Sequence, residues 1–103
     1  MKNVLLSADG AISVYAVPDR VAEKLTQYCL EFSGNWLHNS PDAEKYRFRV
    51  GDTIGVRYTE KDFIDYLNQY VCDERSILIS TLTDVCVGDN LSAEYAGLPY
   101  YNF

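Results

Sequence analysis

The Asp9-Gly10 pair constrains this chain more than any other feature. Both central positions of a type I′ turn need positive φ, which Asp-Gly tolerates, so the pair marks a two-residue β-hairpin loop. It lies between Val4-Leu5-Leu6 and Ile12-Ser13-Val14-Tyr15-Ala16. A loop of that length sets the register: Leu5 faces Val14, Ser7 faces Ile12, Val4 faces Tyr15 and Leu6 faces Ser13. Apolar residues then fall on both faces of the ribbon, which suits central strands with cover on each side.

Downstream, Pro18-Asp19 predicts a helix start, with Val21, Leu25, Cys29 and Phe32 as its apolar stripe, Tyr28 beside them, and Gly34 as its stop. Trp36 and Leu37 are then expected in a connection that ends at Asn39-Ser40-Pro41-Asp42. A second hairpin follows in Tyr46-Arg47-Phe48-Arg49-Val50 and Ile54-Gly55-Val56-Arg57-Tyr58. A two-residue Gly51-Asp52 loop would set Phe48 against Gly55. A loop of odd length would pair Val50 with Ile54, Phe48 with Val56 and Tyr46 with Tyr58. The odd loop keeps each apolar set on one face and is the expected one.

Thr59 with Asp62 forms a capping-box pattern ahead of a stripe of Phe63, Ile64, Leu67, Tyr70 and Val71. Ile77 to Leu82 reads as a final strand, with Val85-Cys86-Val87 as an extension and Leu91 to Ala96 as a short helical turn. The expected fold is therefore one α+β domain over residues 1–103. It is an antiparallel sheet of about five strands with two helices packed on it, in the order ββα-ββα-β. The halves also look alike at an offset of 42 residues: Ile12, Val14, Leu25 and Tyr28 meet Ile54, Val56, Leu67 and Tyr70. An internal repeat and the common needs of two amphipathic helices explain this equally well.

The sequence offers little for catalysis. His38 is the only histidine, and Cys29, Cys72 and Cys86 are widely spaced with no C-x-x-C pair, so no metal-ligand spacing is present. No nucleophile elbow, Walker A loop or G-x-G-x-x-G occurs. No catalytic residue, metal or cofactor is expected, and the chain reads as a non-enzyme. The thiols read as reduced, buried hydrophobes, with a Cys29–Cys72 disulfide as the minor alternative. No apolar stretch approaches a membrane span, and Asp9-Gly10 interrupts the first apolar run too early for a signal peptide, so a cytoplasmic location is expected.

Charge is the informative quantity. The chain carries −6 in total, yet residues 45–57 hold Lys45, Arg47, Arg49 and Arg57 against Asp52 alone. In the odd-loop register Arg47 lies opposite Arg57 with Arg49 along the same face, and such like charges need an anion. A carboxylate from the C-terminal segment, an acidic partner patch or a phosphate backbone would each supply one. The acidic remainder argues against general nucleic-acid binding. Carboxylates on helix faces can instead occupy a site that normally holds phosphates. Candidate partner-binding residues are thus Arg47, Arg49 and Arg57, the acidic helix residues Glu60, Asp62, Asp65, Asp73 and Glu74, and the terminal aromatics Tyr100, Tyr101 and Phe103. Those terminal aromatics serve equally well as cover for an open end of the core.

The runs VLLSADGAISVYAVPD, SPDAEKYR and TEKDFIDYLNQYV resemble small accessory proteins of bacterial mobile elements. The resemblance spans most of the chain but rests on scaffold residues, so no functional residue is carried over. It implies a bacterial or phage setting, where small acidic proteins include inhibitors of CRISPR nucleases and other defence effectors. The expected function is an acidic, anti-CRISPR-like interaction module that inhibits a nucleic-acid-handling host enzyme. The alternatives are a nucleic-acid or nucleotide binder using the basic hairpin, and a homo-oligomeric structural protein, a homodimer included.

Overall fold

The first hairpin forms in the register that its loop length requires. The computed structural model describes residues 1–8, 11–82, 95 and 97–103, so the Asp9-Gly10 turn itself lies outside the described residues. Strands β1 (Lys2–Ser7) and β2 (Ile12–Val17) pair antiparallel with Val4 opposite Tyr15, Leu5 opposite Val14 and Leu6 opposite Ser13. All six side chains of β2 are buried.

Both faces of this ribbon are covered. Val4, Leu6, Tyr15 and Val17 face the helices and join the main core. Leu5, Ile12 and Val14 form a second, smaller core under Leu82, Tyr95, Leu98 and Tyr100. Alternation along each strand sends neighbouring residues to opposite cores, which is why an apolar residue at nearly every position is tolerated here.

The hairpin is the centre of a four-stranded mixed sheet in the order β5-β2-β1-β6. Strand β5 (Ile77–Leu82) pairs antiparallel with β2, with a register shift between Val14 and Tyr15. Strand β6 (Tyr100–Asn102) runs parallel to β1, with Leu5 beside Tyr100 and Ser7 beside Asn102. This corrects the expected purely antiparallel sheet. Seventeen residues separate β5 from β6, enough for the crossover that a parallel pair needs. The expected 85–87 extension lies outside the described residues, as does the 91–96 turn apart from Tyr95.

The first helical region is longer and less regular than expected. α1 (Asp19–Glu23) and α2 (Leu25–Glu31) are separated at Lys24, whose backbone leaves the helical region. A π-helical turn follows over Phe32–Trp36, then α3 (Leu37–Asn39) and a 3₁₀ segment over Pro41–Tyr46. Gly34 is therefore no stop. Left-handed backbone is what makes glycine a helix terminator, and among the described glycines only Gly51 has positive φ. Leu37, expected in a connection, is fully buried in the main core.

α4 (Glu60–Tyr66) starts as expected: the Thr59 N–H donates to the Asp62 carboxylate at 2.8 Å, closing the capping box. It too ends in a π turn, Leu67–Val71, closed by the Cys72 N–H donating to the Leu67 carbonyl at 2.9 Å. Phe63, Ile64 and Leu67 are buried as expected, whereas Tyr70 is half-exposed and Tyr66 takes the inward place. Phe32 is the hub of the main core, with the rings of Trp36, Tyr58, Phe63, Tyr66 and Phe103 between 5.1 and 6.0 Å away.

The similarity between halves is confined to the helices. Leu25 and Leu67 are both buried, but Ile12 is 1% exposed and Ile54 is 56% exposed.

Candidate interaction surface

The second hairpin is a separate two-stranded sheet, β3 (Arg47–Val50) with β4 (Thr53–Val56), and it forms an arm. Gly51 adopts φ of 60°, the positive value that a two-residue hairpin loop needs at its first central position. The register is Arg47 opposite Val56, Phe48 opposite Gly55, Arg49 opposite Ile54 and Val50 opposite Thr53. The expected odd loop is thus overturned. Turn chemistry at Gly51-Asp52 prevails over apolar matching, and Gly55 makes this possible. A Cβ at Gly55 would sit 2.6 Å from the Phe48 ring, so glycine lets that ring lie across the backbone.

This register separates the arginines. Paired residues share a face, so Arg47 and Arg49 project with Val56 and Ile54, and Arg57 lies on the other face with Phe48. The Arg57 guanidinium stands 5.3 Å from the Phe48 ring centre. Arg47 turns back on its own chain, where its Nε donates to the Leu37 carbonyl at 2.8 Å and its Nη2 to the Ser40 carbonyl. It fastens the arm to the negative end of the helical region, so no external anion is required at Arg47.

The arm is anchored at its base and bare at its tip. Tyr46, Val56 and Tyr58 pack against the main core. Beyond them Phe48, Val50 and Ile54 are 41%, 66% and 56% exposed. The register puts Phe48 and Val50 on one face of the arm and Ile54 on the other, so each face of the tip carries exposed apolar surface. A groove of about 260 Å³ lies at the base, lined by Ala8, Val56, Arg57, Tyr58 and Phe103.

The acidic candidates are not gathered into one face. Asp62 is held in the capping box, and Glu60 accepts from the Ser13 hydroxyl at 3.4 Å. Burial first, then the charges of Glu60 and Asp65, push the Tyr15 hydroxyl above the ordinary tyrosine range. Asp65 borders a small recess among Trp36, Tyr46, Tyr66 and Tyr70. Asp73 and Glu74 lie beyond the helical region, on an open groove of about 500 Å³ shared with Asp19 and Arg20, which corrects their placement on a helix face.

The C-terminal aromatic group is half-buried against the rest of the chain. The Tyr100 hydroxyl is hydrogen-bonded to the Ser7 hydroxyl at 2.8 Å, and Tyr101 packs on the main core. Phe103 contacts Phe32, Tyr58, Phe63 and Tyr101. These residues close the core, which is the other role open to them in the sequence.

Sequence reasoning missed Phe48, Val50 and Ile54 as exposed groups because the wrong register gave them partners on one face. The Gly51-Asp52 pair was the signal that would have found them. It also missed β5 as a sheet edge among the described residues, where Ile77, Leu78 and Ile79 are each half-exposed.

Cys29 and Cys72 are free thiols, and burial pushes the Cys29 thiol far up. Among the described residues no three His, Cys, Asp or Glu side chains are grouped to hold a metal ion, and no helix is long and apolar enough to cross a membrane. His38 is exposed on α3. No family model, curated protein or solved structure matches the chain.

Proposed function

We propose that this chain is a non-catalytic interaction module that docks on a partner protein through the tip of its β3–β4 arm. The observation that carries this reading is the exposure of Phe48, Val50 and Ile54 on a hairpin whose base is fixed by Arg47, Tyr46 and Tyr58. A rigidly mounted apolar tip loses little entropy on docking, and aromatic and aliphatic anchors supply most of the binding energy at an interface. Arg49 stands beside Ile54 and adds a cation at the rim. The partner class we propose is a nucleic-acid-handling enzyme of a host defence system, inhibited by occupation of its surface. The support for that class is the net charge of −6, which attracts basic surfaces.

The experiment is affinity capture from nuclease-treated bacterial lysate with the wild-type chain and a Val50→Asp/Ile54→Asp variant as baits. A nucleic-acid-handling enzyme retained by the wild type and lost by the variant supports the reading. Equal retention by both baits overturns the docking role of the tip.

One observation favours a second reading, a homo-oligomer. Strand β5 carries no charge from Ile77 to Leu82 and lies at the sheet edge among the described residues. Unpaired strand edges of this kind template pairing with another chain. A mass that rises with concentration, and falls back on Ile79→Lys, would favour it. The nucleic-acid reading is weakened by the register, because Arg47 is engaged internally and Arg49 and Arg57 lie on opposite faces.

A further inference from the structure

The helical tails meet in an aromatic recess near the base of the arm, apart from its exposed tip. Trp36 from the first π turn lies 4.9 Å from Tyr66 and 5.2 Å from Tyr70, and 6.1 Å from Tyr46. With Asp42, Lys45, Asp65 and Gln69 these four rings line a recess of about 40 Å³. A single water needs about 10–15 Å³ of such space, so the recess admits a small polar head group.

Its lining holds two carboxylates and one ammonium, so its net charge is negative. Aromatic faces are the negative part of the ring quadrupole and attract cations within about 6 Å of the centroid. Neither the Asp42 nor the Asp65 carboxylate belongs to an ion pair among the described residues; the pairs found there are Met1 with Asp19 and Lys2 with Glu23. No hydrogen bond to the Asp65 carboxylate is formed among them either. The charge of Asp65 is felt as far as the Tyr15 hydroxyl. The cation in the lining, Lys45, stands 5.1 Å from the Tyr46 ring.

We infer that the recess of Trp36, Tyr46, Tyr66 and Tyr70 with Asp42 and Asp65 binds a primary ammonium group, presented by a lysine side chain of the partner protein. The inference rests on the interaction-module reading for its choice of a protein lysine, and it names a second contact on a different part of the surface. Recognition combines cation–π attraction with two carboxylates, so it weakens with salt.

The test needs no partner. Trp36 is the sole tryptophan, so its fluorescence reports the recess directly. The probes are N-acetyl-lysine methylamide, its uncharged norleucine counterpart and spermidine, titrated at low ionic strength. We expect a saturable millimolar response to the lysine derivative and none to norleucine. Binding weakens at least about fivefold in Asp65→Asn and in Asp42→Asn, each checked for an unchanged melting curve. Lys45→Met removes the competing cation and tightens it. Three results overturn the inference: no saturable response to the lysine derivative, an equal response to norleucine, or unchanged binding in an Asp42→Asn/Asp65→Asn variant that melts as the wild type does. Spermidine binding more than tenfold tighter than the lysine derivative would overturn the assignment to a protein side chain. Failure here leaves the arm's capture experiment untouched, since that experiment varies only Val50 and Ile54.

Discussion

Replacing Arg47 by alanine discriminates between the two hairpin registers by the sign of its effect. In the observed register the Arg47 guanidinium donates to the carbonyls of Leu37 and Ser40, at the end of the first helical region. A hydrogen bond to a charged group is worth about 1.5–3 kcal/mol net. Two such bonds are lost, but the site is part-buried and water recovers some of the carbonyl hydration, so about 2 kcal/mol is the expected loss. For a domain of this size 1 kcal/mol moves the melting temperature by about 4–8 °C, so Arg47→Ala should melt roughly 8–16 °C below the wild type. If Arg47 instead faced Arg57, the substitution would relieve a like-charge contact of about 0.2–1 kcal/mol and raise the melting temperature. Thermal unfolding followed by circular dichroism reads the difference. Arg49→Ala is the control, within about 0.5 kcal/mol of the wild type, because Arg49 is exposed and makes no hydrogen bond or ion pair among the described residues. A melting temperature equal to or above that of the wild type for Arg47→Ala refutes the clamp and the register together.

Other outcomes follow from the same structure. Gly34→Ala should stabilise by about 0.5–1 kcal/mol, because Gly34 lies within a helical turn and an added Cβ meets nothing within 4 Å; a destabilised variant in urea titration would contradict this. Asp62→Ala should cost about 1 kcal/mol by opening the capping box, read in the same titration. Tyr15 and Tyr66 are held above the ordinary tyrosine value near 10, both by burial first. Their raised folded values mean that stability is full below the unfolded value and declines as pH rises through the folded one. Unfolding free energies measured from pH 8 to 11 should therefore begin to fall above about 8.5, where the unfolded Cys29 thiol ionises, and fall more steeply above about 10, where the unfolded tyrosines do. Cys29, buried and with its thiol pushed far up, should react with alkylating reagents only as fast as the chain opens, and later than half-buried Cys72.

Much of the scaffold was legible in local chemistry. Asp9-Gly10 dictated the register of β1 with β2, and the two-faced apolar pattern of that ribbon foretold both cores. Thr59 and Asp62 marked the start of α4 because a capping box is a short-range bond with a fixed spacing. What failed depended on competition between rules or on distance in the chain. At Gly51-Asp52 the turn preference opposed apolar pairing, and the turn prevailed because Gly55 leaves room for Phe48. At Gly34 a glycine suggested a helix end, yet burial of Phe32 and Leu37 on either side holds the backbone helical through a π turn. The parallel pairing of β6 with β1 joins residues more than ninety positions apart, and no local pattern encodes it. The exposed tip of the arm was hidden by the misread register. The aromatic recess needed two helical ends to meet, which spacing alone does not disclose.

The central claim is that the arm, and not the acidic remainder, makes the principal contact with the partner. Quantitative capture with three baits tests it most directly: the wild type, Val50→Asp/Ile54→Asp, and Asp65→Lys/Asp73→Lys, each first shown to melt as a folded protein. The account predicts that the tip variant loses the retained nucleic-acid-handling enzyme by at least about tenfold, while the charge-reversal variant keeps part of it with a steeper decline in salt. Full retention by the tip variant, with loss confined to Asp65→Lys/Asp73→Lys, would contradict the account and assign the interface to the acidic side chains.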